Sequence, residues 1–165
     1  MKPLKTPDSF HLLAAEGWLD LGNHREAAVE LEKIKPKLQT HPDVLEVKWR
    51  IYAQAQNWIR CREIAQAIIR AVPERASGWI DLSFALHELR QTDEAFKNLL
   101  AVASRFPDHP LVPYNLACYT CQIGRLWEAR QWLAQAMEVG DAREIKAQAR
   151  QDIDLKPLWN QIEDM

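Results

Sequence analysis

Small and large apolar residues follow a helical rhythm along this chain, and the rhythm itself recurs every 34 residues. The small residues Ala27, Cys61, Ala95 and Ala129 fall at that interval. So do Gly22, Gln56, Arg90 and Gly124, and so do Trp18, Tyr52, Leu86 and Thr120. Large positions keep step at Leu31, Leu99 and Leu133, with Ala65 the exception. Ile34, Ile68, Val102 and Ala136 form a further column, and Pro73 pairs with Pro107. One phase fits every copy without an insertion. Apolar residues three and four apart predict amphipathic helices. A fixed period of this length predicts units that each bury a face against a neighbour.

Local signals place helix boundaries in the same register. Thr6-Pro7-Asp8, His41-Pro42-Asp43 and His109-Pro110 open helices, with proline at the early position it tolerates. Asn23-His24-Arg25-Glu26 and Asp141-Ala142-Arg143-Glu144 read as capping boxes, and Thr92 reads as an N-cap. Pro36 ends or kinks the helix before it. The pattern predicts helix pairs over 8–41, 42–75, 76–109 and 110–141 in a single domain spanning 1–165. A capping helix and tail follow over 142–165. Ala142, Ile145 and Ala149 supply the inner face of the cap. Leu155, Leu158, Trp159 and Ile162 close the stack, or else form a short docking segment.

These residues resemble the tetratricopeptide repeat, a helix–turn–helix of 34 residues. The closest match runs Tyr114-Asn115-Leu116-Ala117-Cys118-Tyr119 through Gly124 and Trp127-Glu128-Ala129. The third unit offers Trp79, Leu82-Ser83, Leu86, Ala95, Leu99, Val102 and Pro107; the first offers Ala14-Ala15, Trp18, Gly22 and Ala27. The second departs from the pattern. Trp49 stands where the family has a small residue and Ala65 where it has a large one, a volume exchange that a core can absorb. The resemblance implies an all-α fold, a right-handed α-solenoid of stacked antiparallel helix pairs.

Composition narrows the function classes. Lys and Arg number 21 against 23 Asp and Glu, a net charge of −2 that lacks the cationic excess of a nucleic-acid surface. Three cysteines cannot form a closed disulfide framework, and no apolar run reaches the length of a membrane span. The expectation is a cytoplasmic, non-enzymatic protein. Cys118-Tyr119-Thr120-Cys121 has no second pair to complete a zinc site and lies mid-helix, where no helix N-terminus lowers a thiol pKa. The histidines His11, His24, His41, His87 and His109 are scattered, with no nucleophile and acid at motif spacing. No phosphate-binding glycine motif occurs. No catalytic residue, metal or cofactor is expected. Trp18 and Trp79 occupy core columns, whereas Trp58, Trp127 and Trp132 could form an exposed interface.

In the family, the first helices line a concave groove that binds peptides. Carried across, the candidate groove residues are Leu13, Glu16 and Asp20; Asp43, Glu46, Val47 and Arg50; Ile80, Asp81, Phe84, His87 and Glu88; and Tyr114, Asn115, Cys118 and Gln122. The acids outnumber the one base, Arg50, by five. A concave surface of one sign selects partners of the other. The expected partner is therefore a protein or peptide segment with Lys or Arg and apolar anchors, not a nucleic acid or a membrane. Family members that clamp a C-terminal carboxylate use basic and amide residues where this chain has Leu12, Glu16, Val47, Ser77 and Asp81; only Asn115 matches. Two alternatives stay open: a self-associating structural solenoid, and a small secretion-type chaperone.

Overall fold

A computed structural model describes residues 3–162. Among these residues it is all-helical, with no strand. The helices are α1 (Asp8–Asp20), α2 (His24–Glu32), α3 (Pro42–Gln54), α4 (Trp58–Ala71), α5 (Ala76–Glu88), α6 (Thr92–Leu100), α7 (Leu111–Gln122), α8 (Leu126–Val139), α9 (Ala142–Ala149) and α10 (Trp159–Ile162). Short 3₁₀ turns lie at Pro36–Leu38 and Ala103–Arg105, and a longer one at Ile153–Leu158. No helix among the described residues is long and apolar enough to cross a membrane. The chain forms two compact units, one up to Leu82 and one from Ser83.

In the first unit α1 pairs with α2, α3 pairs with α4, and α2 packs on α3. Ala15 and Leu19 meet Ala27, Leu31 and Ile34 of the next segment and Val44, Val47 and Ile51 of α3 in one core. Leu45, Ile68 and Val72 form a second cluster. At Gly78 a Cβ would lie 2.9 Å from Ile68 Cγ2 and 3.2 Å from the Ile69 backbone nitrogen, so the start of α5 approaches α4 through a glycine. Lys35 pins the start of α1. Its backbone N–H and its Nζ donate to the two oxygens of buried Asp8 at 2.9 and 3.0 Å, which holds that carboxyl below its usual range.

In the second unit α6 and α8 pack on α7, and α9 packs on α8. The Ile153–Leu158 turn then lies against α7 and α8, and α10 against α9. Leu99, Leu116, Leu133, Leu155, Leu158 and Ile162 are fully buried. Tyr119, also buried, donates from its hydroxyl to Ser83 Oγ at 3.1 Å.

The 34-residue spacing is visible in the backbone of both units. Gly22, Gln56, Arg90 and Gly124 all take left-handed φ, at 75°, 54°, 64° and 83°. The next residues, Asn23, Asn57, Gln91 and Arg125, donate to the carbonyls of Trp18, Tyr52, Leu86 and Thr120 at 2.8 to 2.9 Å. This is the six-to-one bond of a Schellman helix end. Ala27, Cys61, Ala95 and Ala129 are fully buried, and so is Ala65. Trp49 is half-buried, and its carbonyl accepts from Cys61 Sγ at 3.7 Å.

Several local expectations need adjustment. Asn23 and Asp141 cap α2 and α9 as read, and Asn57 caps α4 in the same way. Thr92 is not a cap. The helix begins on it, and its hydroxyl instead lies 3.0 Å from His87 Nδ1. α2 ends at Glu32, before Pro36, which opens a 3₁₀ turn instead. Ile145 and Ala149 of α9 are buried, but Ala142 is exposed, because it sits on the first turn beyond the packed face. Trp18 is 36% exposed rather than a core residue.

Candidate functional site

The candidate groove residues fall into different surroundings in the two units. In the first, Leu13 is 65% exposed, Glu16 is half-buried and Asp20 is exposed. Val47 and Ile80 are buried, and Val47 belongs to the core, so neither offers a free apolar anchor. Arg50 Nη2 donates to Asp20 Oδ1 at 2.9 Å. Asp43 and Glu46 lie one turn apart on α3 and share a cation that the sequence count left out. Arg75 Nη1 donates to Asp43 Oδ1 at 2.7 Å and to Glu46 Oε1 at 3.3 Å. Ser77 Oγ adds a bond to Glu46 Oε1 at 2.7 Å. Burial, with Glu46 nearby, pushes the Asp81 carboxyl up to about 8. The acidic surplus of this face is therefore smaller than the residue count implies. Arg75, which the count left out, offsets one further charge, and Asp81 holds its proton near pH 7.

In the second unit four of the candidates converge on one segment, the chain's own tail. His87 Nε2 donates to Asp154 Oδ2 at 3.0 Å, while the ring's other nitrogen faces Thr92. Tyr114 donates from its hydroxyl to Asp152 Oδ2 at 2.9 Å, and Cys118 Sγ donates to the same oxygen at 3.6 Å. Gln122 Nε2 donates to the backbone carbonyl of Asp154 at 2.8 Å. Tyr114, Cys118 and Gln122 are four residues apart along α7, so one helix face presents three donors in a row. Asp152 also orders the tail itself: its Oδ1 accepts from Asp154 N at 3.0 Å, and its carbonyl accepts from Trp159 Nε1 at 3.1 Å. Trp159 Nε1 reaches the Ala149 carbonyl as well, at 3.0 Å. His87, Tyr114 and Cys118 are buried, Phe84, Glu88 and Asn115 are half-buried, and Gln122 is exposed.

The arrangement holds the acid-bearing start of a 3₁₀ turn by side-chain donors. It is not arranged for nucleophilic chemistry. Burial, with Asp152 and Asp154 adding negative charge, raises the Cys118 thiol well above its ordinary range and Cys121 to about 11. Both stay protonated at neutral pH, and thiolates are what react. No group of three His, Cys, Asp or Glu side chains that could hold a metal ion occurs among the described residues. Of the other tryptophans singled out, Trp58 and Trp132 are half-buried. Trp127 is 76% exposed and lines an open depression with Glu128, Gln131 and Trp132.

Sequence reasoning missed Arg75, Asp152 and Asp154 as site residues. Arg75 lies in the turn before α5, outside the lining positions carried over from the family. The two aspartates lie in a tail whose apolar spacing drew attention to its leucines. Compared with protein-family models and with curated proteins, the chain matches none of either.

Proposed function

We propose that this chain is a non-enzymatic protein-interaction module of tetratricopeptide type, which receives a short segment of a partner along the inner turns of its first helices. One observation carries the reading. The tail of the chain lies along Tyr114, Cys118 and Gln122, held by side chains at the register carried over from the family. A segment bound in this way needs no reaction and no cofactor, only donors and acceptors at one-turn spacing.

The same register in the first unit carries Leu12, Glu16 and Asp20 on α1 and Glu46, Arg50 and Gln54 on α3. Its chemistry is acidic where α7 is neutral. The partner segment of this reading bears Lys or Arg opposite Glu16 and Asp20 and sets an apolar side chain on Leu13. Arg75 supports that choice, since a guanidinium already lies between Asp43 and Glu46. Arg suits such a site because its fork meets two carboxylates at once.

A peptide array with graded numbers of Lys, Arg, Asp and Glu tests this. Basic peptides should be retained, less so as salt rises, and lost with Glu16→Arg/Asp20→Arg. Both positions are solvent-accessible, so circular dichroism should be unchanged. Retention of acidic peptides, or of the same set by the variant, would end the reading.

A further inference from the structure

Helix α1, with Leu21 just past its last turn, leaves a coherent apolar face in solvent. Phe10 is 65% exposed, Leu13 65%, Trp18 36% and Leu21 76%, and Ala14 and Gly17 between them are exposed too. On a helix, Phe10, Ala14, Gly17 and Leu21 fall in one narrow stripe, with Leu13 and Trp18 flanking it on either side. Scattered exposed apolar residues need no explanation, but a continuous stripe does. A Cβ at Gly17 would meet nothing within 4 Å, so that backbone is open to approach.

Later helices indicate what such a face is shaped to receive. Thirty-four residues on from Phe10 and Gly17 stand Val44 and Ile51, both buried in the core that α3 shares with α2. The corresponding positions of α7 are Val112 and Tyr119, with Leu116 between them, all buried in a helix that packs on α6. The positions of Phe10 and Gly17, solvent-exposed on α1, are thus covered on both α3 and α7, while that of Leu21 is exposed again at Ala55.

We infer that this face is a self-association surface, and that its occupant is α1 of a second copy lying antiparallel. The exposed residues are symmetric about the point midway between Ala15 and Glu16. A two-fold axis there sets Phe10 opposite Leu21 of the second copy, and Ala14 opposite Gly17. Leu13 meets Leu13 at one rim and Trp18 meets Trp18 at the other. Each large side chain on the stripe thus finds a large one, and the small residues let the backbones close at the crossing. This is the self-complementarity that an isologous interface requires. Antiparallel helices also oppose their dipoles favourably. With 13 residues, α1 is about 20 Å long. One helix width falls below a standard stable interface, so dissociation is expected at roughly micromolar concentration or above.

Sedimentation velocity of the full chain over a wide concentration series reads this directly. The wild type should pass from monomer to dimer with rising concentration, and Phe10→Glu/Leu21→Glu should stay monomeric with an unchanged circular dichroism spectrum. Mixing Phe10→Cys with Leu21→Cys protein under mild oxidation should trap the mixed pair over either self-pair. The native cysteines are buried and will not compete. A wild type that is monomeric throughout overturns the inference, and so does a dimer indifferent to the two glutamates. Preferential Phe10→Cys self-pairing overturns the antiparallel arrangement. Leu13 belongs to both surfaces, so the peptide array is repeated on the Phe10→Glu/Leu21→Glu protein, where loss of the dimer is read apart from peptide retention through Glu16 and Asp20.

Discussion

Asp81 shows how far one residue's role depends on surroundings that a sequence does not display. By type it is an acid that adds to a negative face. In the fold, burial and then Glu46 oppose its charge and push it up to about 8. An unfolded aspartate titrates near 4. Between those values the folded chain keeps a proton that the unfolded chain releases. Stability from this site is therefore complete below about pH 4 and falls as pH rises toward about 8. Asp81→Asn keeps the shape and removes the ionisation. Relative to wild type it should gain stability as pH rises, by an amount on the order of 2–5 kcal/mol between about pH 5 and about pH 9. Urea unfolding of both proteins at the two pH values measures the gap. A gap that does not widen would mean that the carboxyl is solvated. Arg75 teaches the same lesson from the other side. Its neutralising role depends on where a turn places it, and residue counts along helices cannot register that.

Between residue and fold stands the helix end, and there the sequence was most legible. Gly22 and Gly124 announce a left-handed turn because glycine pays no steric penalty at positive φ. Their period then locates Gln56 and Arg90, which adopt the same conformation at φ of 54° and 64° although they carry a Cβ. A period constrains the backbone directly, so the columns of small residues came out buried as well. Side-chain partners were less legible. Thr92 has the right chemistry for a cap but bonds His87 instead, a choice settled by where α5 ends. The two non-glycine ends lead to an element-scale expectation. Gln56→Gly and Arg90→Gly should each stabilise by about 0.5–1 kcal/mol, because the left-handed strain is relieved by more than the added unfolded-chain entropy costs. Thermal or urea unfolding of each single variant measures this. A loss in both would mean that the side chains contribute more than the strain costs.

At the scale of the whole molecule the question is how firmly the tail is held, since it covers a face where donors converge. The sequence showed that the tail has apolar residues at packing intervals. It could not show their destination, because the partners His87 and Tyr114 are 67 and 38 residues away from the aspartates they bind. Two sets of interactions fasten the segment. Leu155, Leu158 and Ile162 are fully buried. Asp152 and Asp154 accept the hydrogen bonds from α7 and His87. Removing a buried leucine side chain costs about 2–5 kcal/mol, while orphaning a hydroxyl by removing its acceptor costs about 1–3 kcal/mol. Leu158→Ala should therefore destabilise more than Asp152→Ala, and should speed amide exchange in α7 and α8 more. That order makes the tail a fixed part of the second unit, with the acidic face of α1 and α3 left as the place for a partner. The reverse order would mean that polar bonds hold a detachable segment. The Tyr114–Gln122 face would then be a binding site in its own right, with acidic rather than basic ligands.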